Sequence, residues 1–304
     1  WTGEAGIRYD YKYLNADGYD MYSQRYGGEH NFHNITYSLG GTWEASEKLS
    51  LSSNIGVAWR APQVNELYSS GLHHGAGTYN LGDSSLHPET GVKWITALDY
   101  KNPDKGIDLS VDAYAQVIKG YIYDYPTGET RTLFSGVYPI FQYTQADAFF
   151  RGADLEALIR LAQWHDHSQS LSYEFRGALV FANELKTGRY FPFIPAPRLS
   201  QSLLWKSTPR GIFQSLEASI GHTFVAKQTR FEPSQELVAT TPEAYHLFEA
   251  AIGGTINIGQ HQSLGIRLSG ENLLNKLYKE YTNRFRYYAH DLGRNIYLRL
   301  NYNF

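Results

Sequence analysis

Cysteine is absent from this chain of 304 residues, and methionine occurs once. A protein without thiols has no disulfide scaffold, no thiolate zinc site and no cysteine nucleophile. An excess of one charge is also lacking, because 27 basic residues stand against 30 acidic ones, which excludes the basic footprint of a nucleic-acid-binding protein. Long apolar runs are missing as well, and none approaches the roughly 18 to 20 residues of a membrane-spanning helix. The sequence therefore excludes a helical membrane protein.

Aromatic residues are abundant instead, with 25 Tyr, 15 Phe and 6 Trp. Strands favour aromatic side chains, which pack well on a pleated surface. Together with 28 Gly and a single Met, this composition is typical of a β-protein with an aromatic surface. No phosphate loop, nucleophile elbow or Ser/His/Asp arrangement occurs in its required context. We therefore predict an all-β protein that is not an enzyme, with no catalytic residues and no cofactor.

Apolar and polar residues alternate with a period of two, as they do in strands with one apolar and one polar face. In residues 107–117, for example, Ile107 and Leu109 alternate with Asp108 and Ser110. The alternation predicts twelve strands, at about residues 3–14, 31–45, 48–59, 88–101, 106–124, 138–163, 168–183, 196–207, 212–226, 242–258, 263–273 and 293–304.

The connections between these strands alternate between short and long without exception. Five have two to four residues, and the other six cover 15–30, 60–87, 125–137, 184–195, 227–241 and 274–292. Outer-membrane barrels combine short periplasmic turns with long extracellular loops in this way, and a sheet in lipid must close because free edges are not tolerated there. The alternation of short and long connections favours an antiparallel transmembrane β-barrel. A soluble all-β protein is the alternative.

The two faces of the predicted strands agree with a barrel. Aromatic residues at or near strand ends of the apolar face are expected to form the belts of the membrane interfaces: Trp43, Trp59, Trp94, Tyr100, Tyr302 and Phe304. Charged residues of the other face are expected to line the lumen: Asp108, Asp112, Asp154, Glu156, Glu217, Arg267, Glu271 and Arg299.

Two segments carry motifs in a fixed order. The first reads WRAP at 59–62, NELY at 65–68, GLHHG at 71–75 and GDSSLHPE at 82–89. The second reads ENLLNKLY at 271–278 and GRN at 293–295, and leads into the aromatic-ended last strand. Both resemble the corresponding segments of TonB-dependent outer-membrane receptors. Leu274 stands where that family usually has Phe, which is a mild departure.

The resemblance implies a 22-stranded barrel around an N-terminal plug. Residues 1–304 are then expected to be the C-terminal portion of the barrel domain, with about its last twelve strands and without the plug. Tyr302 and Phe304 would belong to the family's C-terminal assembly signal. The implied partners are the TonB energy-coupling complex (through the missing N-terminal part), the barrel-assembly machinery, outer-membrane lipid and an iron complex or similar small ligand. No nucleic acid is expected.

Ligand capture is expected in the outer loops, where aromatic rings offer rigid area with a polar tip. The candidate ligand-binding residues are Arg60, Tyr68, His73, His74, Tyr79, Arg284, Arg286 and Tyr287. Arginine could bind an anionic ferric complex. For Arg60 a structural role beside the strand-ending Pro62 is the favoured alternative, and for the aromatic residues ordinary loop packing is an equal one.

Histidine in the longest loop, 60–87, raises the question of a metal. Neighbouring side chains on an extended backbone point to opposite sides, and a metal site needs three or four converging donors. His73, His74 and His87 are therefore weak candidates, and a solvated polar loop is the favoured interpretation. Haem receptors of the family use a histidine in this loop, so axial ligation by His73 or His74 stays open.

The favoured function is active import of a scarce iron complex, most simply a ferric siderophore, by an outer-membrane receptor that uses TonB-supplied energy. A haem or zinc receptor of the same family is one alternative. A self-contained twelve-stranded passive pore or secretion barrel is another, because an even number of strands can close.

Overall fold

The computed structural model describes residues 1–19, 25–165, 168–209, 211–238, 240–259 and 262–304. Within them lie fourteen strands: β1 Thr2–Tyr19, β2 Arg25–Ser46, β3 Leu49–Arg60, β4 Ser70–His73, β5 Thr78–Leu81, β6 Glu89–Asn102, β7 Ile107–Leu133, β8 Gly136–Trp164, β9 Gln169–Glu184, β10 Arg198–Ser207, β11 Phe213–Val225, β12 Tyr245–Asn257, β13 Ser263–Glu271 and β14 Asn295–Asn303. One short helix, α1, covers Val64–Tyr68, and 3₁₀ turns cover Pro233–Gln235 and Arg284–Tyr287. In these ranges, no helix is long and apolar enough to cross a bilayer.

Twelve strands form one continuous antiparallel sheet in the order β1-β2-β3-β6-β7-β8-β9-β10-β11-β12-β13-β14. Each strand pairs with the next one along this path, which is the topology of an up-and-down barrel wall. The twelve correspond one to one to the predicted strands, so the predicted all-β antiparallel wall is confirmed. β1 and β14 stand at opposite ends of the order, and the described residues do not pair them with each other.

The alternation separates the wall into an apolar and a polar face. Ile252 and Leu298, on the apolar face, are 61% and 59% exposed. Exposed aliphatic side chains of this kind form the lipid-facing band of an outer-membrane barrel. On the opposite face, Arg267 of β13 forms an ion pair with Glu217 of β11. We refer to the apolar face as outward and to the polar face as inward.

Two of the predicted long loops are largely strand. β1 continues to Tyr19 and β2 begins at Arg25, while β7 and β8 stay paired as far as Leu133 and Gly136. The prediction of a long loop over 125–137 was therefore wrong, because backbone pairing carries this hairpin far beyond the membrane-spanning part. Residues 20–24, which complete the first predicted loop, lie outside the described residues.

The 60–87 connection has structure of its own. Pro62 is buried directly after the end of β3, as expected of a residue that donates no ladder hydrogen bond. Helix α1 follows, and then the β4–β5 hairpin, whose second strand lies parallel to β8, with Tyr79 opposite Ile140. At the chain's last strand, Tyr302 pairs with Leu264 of β13, and its ring stacks on that of Phe304 at 6.0 Å.

Candidate functional site

The long connections gather at one end of the wall and pack on one another. The Tyr288 hydroxyl donates to the Gly77 carbonyl oxygen over 3.0 Å, which ties the 272–294 connection to the β4–β5 hairpin. The Phe193 ring, from the connection after β9, lies 6.5 Å from the Tyr281 ring. We call the side chains gathered here the outer cluster: Asn80, Asp124, Phe141, Phe193, Glu236, Tyr281, Arg284, Arg286 and Tyr287.

Arg60 lies at the base of this end, between two carboxylates. Its Nε and Nη2 donate to Glu89 over 3.0 and 2.8 Å, and its Nη1 donates to both oxygens of Glu66 over 2.8 and 2.7 Å. Glu66 also accepts the Gln63 backbone N–H, and Glu89 accepts that of Ile122. The guanidinium therefore joins β3 to α1 and β6, and Glu89 extends this network to β7. These contacts support its structural role, and ligand contact by Arg60 stays a prediction.

Asp124 is the central carboxylate of the outer cluster. It lies seventeen residues beyond the start of β7, roughly 40 Å along the barrel axis for a rise of ~3.3 Å per residue and a tilt near 40°, and so outside the membrane-spanning part. Its side chain is 6% exposed, pairs with Arg284 and accepts the Asn80 Nδ2–H over 3.2 Å. Burial raises the pKa of this carboxyl, although Arg284 opposes the shift. In the described residues, Asp124 Oδ1 has no hydrogen-bond partner.

Arg284 also contacts aromatic rings. Its Cζ atom lies 5.2 Å from the ring centre of Phe141 and 5.1 Å from that of Phe193. Both distances are within the range of cation–π attraction. The Arg284 side chain keeps 29% of its surface exposed, so it is a partly accessible cation framed by rings.

Arg286, in contrast, is enclosed. Its ion pair with Glu236 spans 2.7 Å, and both side chains are almost fully buried. The hydroxyls of Tyr281 and Tyr287 donate to the same carboxylate over 2.8 and 3.0 Å. Burial raises the pKa of both tyrosines, so they remain neutral donors at physiological pH. This network fixes the 272–294 connection against the chain that follows β11.

The two remaining tyrosine candidates are also held by protein contacts. Tyr79 is buried, and the guanidinium of Arg131 lies 4.7 Å above its ring. The hydroxyl of the half-buried Tyr68 lies 2.6 Å from Nε2 of His30. A ligand contact by either tyrosine stays a prediction.

His73 and His74 are exposed at the end of β4 and in the turn that follows it. His73 is close enough to Asp124 to act on its carboxyl electrostatically. His87 is held through its backbone, whose N–H and carbonyl oxygen both bond to the side chain of Gln145. Among the described residues, no three His, Asp or Glu side chains gather as a metal ligand set.

The structure thus brings Arg284, Arg286 and Tyr287 together in the outer cluster. Tyr79 directly precedes Asn80, which is a member of the same cluster. The two carboxylates on which the cluster depends, Asp124 and Glu236, are not among the site residues predicted from the sequence. A general signal for them existed, because buried arginines require acidic partners. The sequence did not show which acids would serve.

A family model described as "TonB dependent receptor-like, beta-barrel" matches residues 1–273. The chain belongs to this family. The ENLLNKLY motif begins inside the matched range and extends beyond it. The family consists of receptors and transporters, and TonB-dependent receptor barrels lie in the outer membrane. The outward apolar face of this wall therefore faces lipid.

Solved structures of TonB-dependent receptors share the fold. The chain resembles "Copper transporter OprC" with a TM-score of 0.74, 16% identity, and coverage of 99% of this chain and 45% of that one. It resembles the FrpB iron transporter from Neisseria meningitidis (F3-3 variant) with a TM-score of 0.64, 15% identity, and coverage of 97% of this chain and 42% of that one. It also resembles the siderophore receptor PirA from Acinetobacter baumannii, with a TM-score of 0.58, 15% identity, and coverage of 88% of this chain and 41% of that one. The chain therefore spans less than half the length of these relatives.

Proposed function

We propose that this chain supplies barrel wall and ligand-capturing outer loops to a TonB-dependent importer whose cargo is a ferric siderophore. Because the chain spans less than half of each similar structure, import itself, the cargo and the TonB partner are all parts of the proposal.

The observation that carries the proposal is the placement of Arg284 between the rings of Phe141 and Phe193. Phe141 is fully buried and supports the guanidinium from the protein side, while Phe193 and Arg284 are partly exposed. An anionic metal complex with planar aromatic ligands can pair with the exposed part of this guanidinium and pack against the edge of the Phe193 ring at the same time. The ligands of such a complex already bind the metal, so the protein has to supply only positive charge and contacts with aromatic rings. FrpB and PirA, named as an iron transporter and a siderophore receptor, make iron the first metal to test.

Growth under iron limitation tests this proposal. A strain without its own receptors, producing this protein in its outer membrane, is supplied with a panel of ferric siderophores. We expect growth on at least one siderophore, dependence on TonB, and weaker uptake in an Arg284→Gln variant. Lys105→Gln, in the turn at the opposite end of the wall, is the matched control. Uptake that persists without TonB would instead support the passive-pore alternative.

A cargo whose metal is bound by the protein itself is the second candidate, because His73 and His74 are exposed at the outer end of the wall. OprC is named as a copper transporter, and haem and zinc would use the same histidines. Replacing His73 and His74 together by Ala should lower uptake of such a cargo at least tenfold, equivalent to ~1.4 kcal/mol. A siderophore whose oxygens already saturate the iron should lose far less. We expect the small effect.

A further inference from the structure

Two histidines face each other on the outward side of the wall, near the loop end of β11 and β12. By strand alternation, His222 shares the outward face with Ile220 on β11, and His246 shares it with Ile252 on β12. Nε2 of His222 lies 2.9 Å from Nδ1 of His246, and the two ring planes differ by 15°. His246 is exposed and His222 is half-buried. A face that otherwise carries aliphatic side chains therefore holds two opposed imidazoles here.

The histidine pair stands at the outer boundary of the apolar band. His222 lies nine residues after the start of β11, and His246 lies eleven residues before the end of β12, where both strands meet short turns. At ~3.3 Å per residue and a tilt near 40°, the two positions are roughly 23 and 28 Å above those turns, whereas the apolar band is about 25 Å tall. Water from the outer side therefore reaches the pair.

Phenylalanine rings hold both imidazoles in place. Phe248 is the direct sheet partner of His222, and Phe224 is the direct partner of His246. In each of these pairs the ring centres are 4.8 Å apart. Side chains that are already restrained in this way lose little conformational freedom when a ligand binds them.

A hydrogen-bonded amide stands behind His222. Nε2 of Gln201, on β10, lies 3.1 Å from Nδ1 of His222, and the Tyr173 hydroxyl donates to Oε1 of Gln201 over 2.8 Å. An amide offers both a donor and an acceptor, so after a half-turn Gln201 accepts the Nδ1–H of His222 and donates to the tyrosine oxygen. Nε2 of His222 then presents its lone pair. Metal-bound histidines usually donate their other ring N–H to a neighbour in this manner.

The spacing of the two facing nitrogens matches adjacent positions around a metal ion. For metal–nitrogen bonds of about 2.0–2.1 Å, two ligands at a right angle lie roughly 2.9 Å apart, and two tetrahedral ligands roughly 3.3 Å apart. The observed 2.9 Å agrees with the right angle, which is typical of Cu(II) and Ni(II). A small rotation of each side chain turns both lone pairs toward one point. Of these two ions, Cu(II) binds nitrogen ligands more tightly.

We propose that His222 and His246 bind a Cu(II) ion through Nε2 of the first and Nδ1 of the second. In the part of the chain that the structure describes, no third His, Asp or Glu side chain joins them, so water oxygens fill the remaining positions. Two imidazoles with water make the tetragonal nitrogen and oxygen set that Cu(II) favours. The bound ion joins β11 to β12. Because the site faces outward, it is separate from the lumen and independent of the cargo.

Copper binding by the purified protein tests this site. The wild type, a His222→Gln/His246→Gln variant and a His33→Gln control are stripped of metal with a chelator and titrated with Cu(II) in detergent micelles. His33 of β2 is the matched control because its ring contacts Tyr9 and Tyr11. Calorimetry gives the affinity, and electron paramagnetic resonance counts the imidazole nitrogens on the copper. We expect two nitrogens in the wild type and the control, and about tenfold weaker binding in the double variant.

Equal affinity in the double variant would overturn the proposal. Fewer than two imidazole nitrogens in the wild type would overturn it as well, and that count needs no variant to fold. His246→Gln alone changes only an exposed side chain and should leave one imidazole nitrogen on the copper. Two nitrogens in this single variant would contradict the assignment of His246.

Discussion

Glu89 is a single carboxylate that holds several elements at the outer end of the wall. It accepts two hydrogen bonds from Arg60 and one from the backbone N–H of Ile122. In Glu89→Gln, an amide N–H₂ replaces one accepting oxygen and faces a donor. We expect the free energy of unfolding to fall by about 1–3 kcal/mol, measured by heat-modifiable electrophoresis across a denaturant series. Glu47→Gln, in an exposed turn, should leave it unchanged.

Asp124 should give stability a pH dependence of unusual sign for a carboxylate. Its raised pKa means that the folded protein binds the proton more tightly than the unfolded chain does. Between the ordinary carboxyl pKa of about 3.9 and the raised value, stability therefore falls as pH rises. Asp124→Asn carries no titrating proton there. We expect the unfolding free energy of the wild type minus that of Asp124→Asn to decrease from about pH 4 upward, and an increase would contradict the shift.

The sequence predicted residue types at the site better than their contacts. Arg284, Arg286 and Tyr287 were identified because charged and aromatic residues adjoin one another in a loop. The partner of Arg284 lies 160 positions away, and a bulge between Ile118 and Tyr121 interrupts the strand alternation before it. Local patterns carry no information about contacts across that distance.

At the level of elements, the wall was predictable and the connections were not. Each wall strand pairs with a sequence neighbour, so period-two alternation and turn spacing are sufficient to identify it. The β4–β5 hairpin instead lies parallel to β8 at Tyr79. That contact depends on packing between distant segments and leaves no periodic signal in residues 60–87.

The turn of the β4–β5 hairpin provides an element-scale prediction. Gly77 has φ +62°, and a Cβ there would meet Tyr288 Cε2 at 3.3 Å, whereas a Cβ at Gly75 would meet only His73 at 3.4 Å. A left-handed conformation costs an alanine about 1 kcal/mol. We expect Gly77→Ala to loosen the contact with Tyr288 and to speed limited proteolysis of both segments. Gly75→Ala should be cleaved at the wild-type rate, and equal cleavage of the two variants would contradict this role of Gly77.

At the scale of the whole molecule, the outward and inward faces have different solvents. Outward side chains must be apolar through the thickness of the membrane, and charge is tolerated only outside the hydrocarbon. Inward side chains include paired charges such as Arg267 and Glu217. The effect of a substitution on stability therefore depends on the face of the wall and the depth in the membrane, and not on the exposure of the side chain alone.

Leu203 and Leu204 allow a direct test, because they are adjacent and point to opposite faces of β10. Leu203 shares the outward face with Ile220 and lies four residues before the end of the strand, roughly 10 Å above it. An arginine at that depth costs about 2–4 kcal/mol, so Leu203→Arg should strongly reduce folded protein in outer-membrane fractions. Leu204 lies inward beside Ser172 and Ser219, where a new guanidinium stays hydrated, and Leu204→Arg should accumulate normally. Equal losses in the two variants would mean that both faces of this wall meet the same environment.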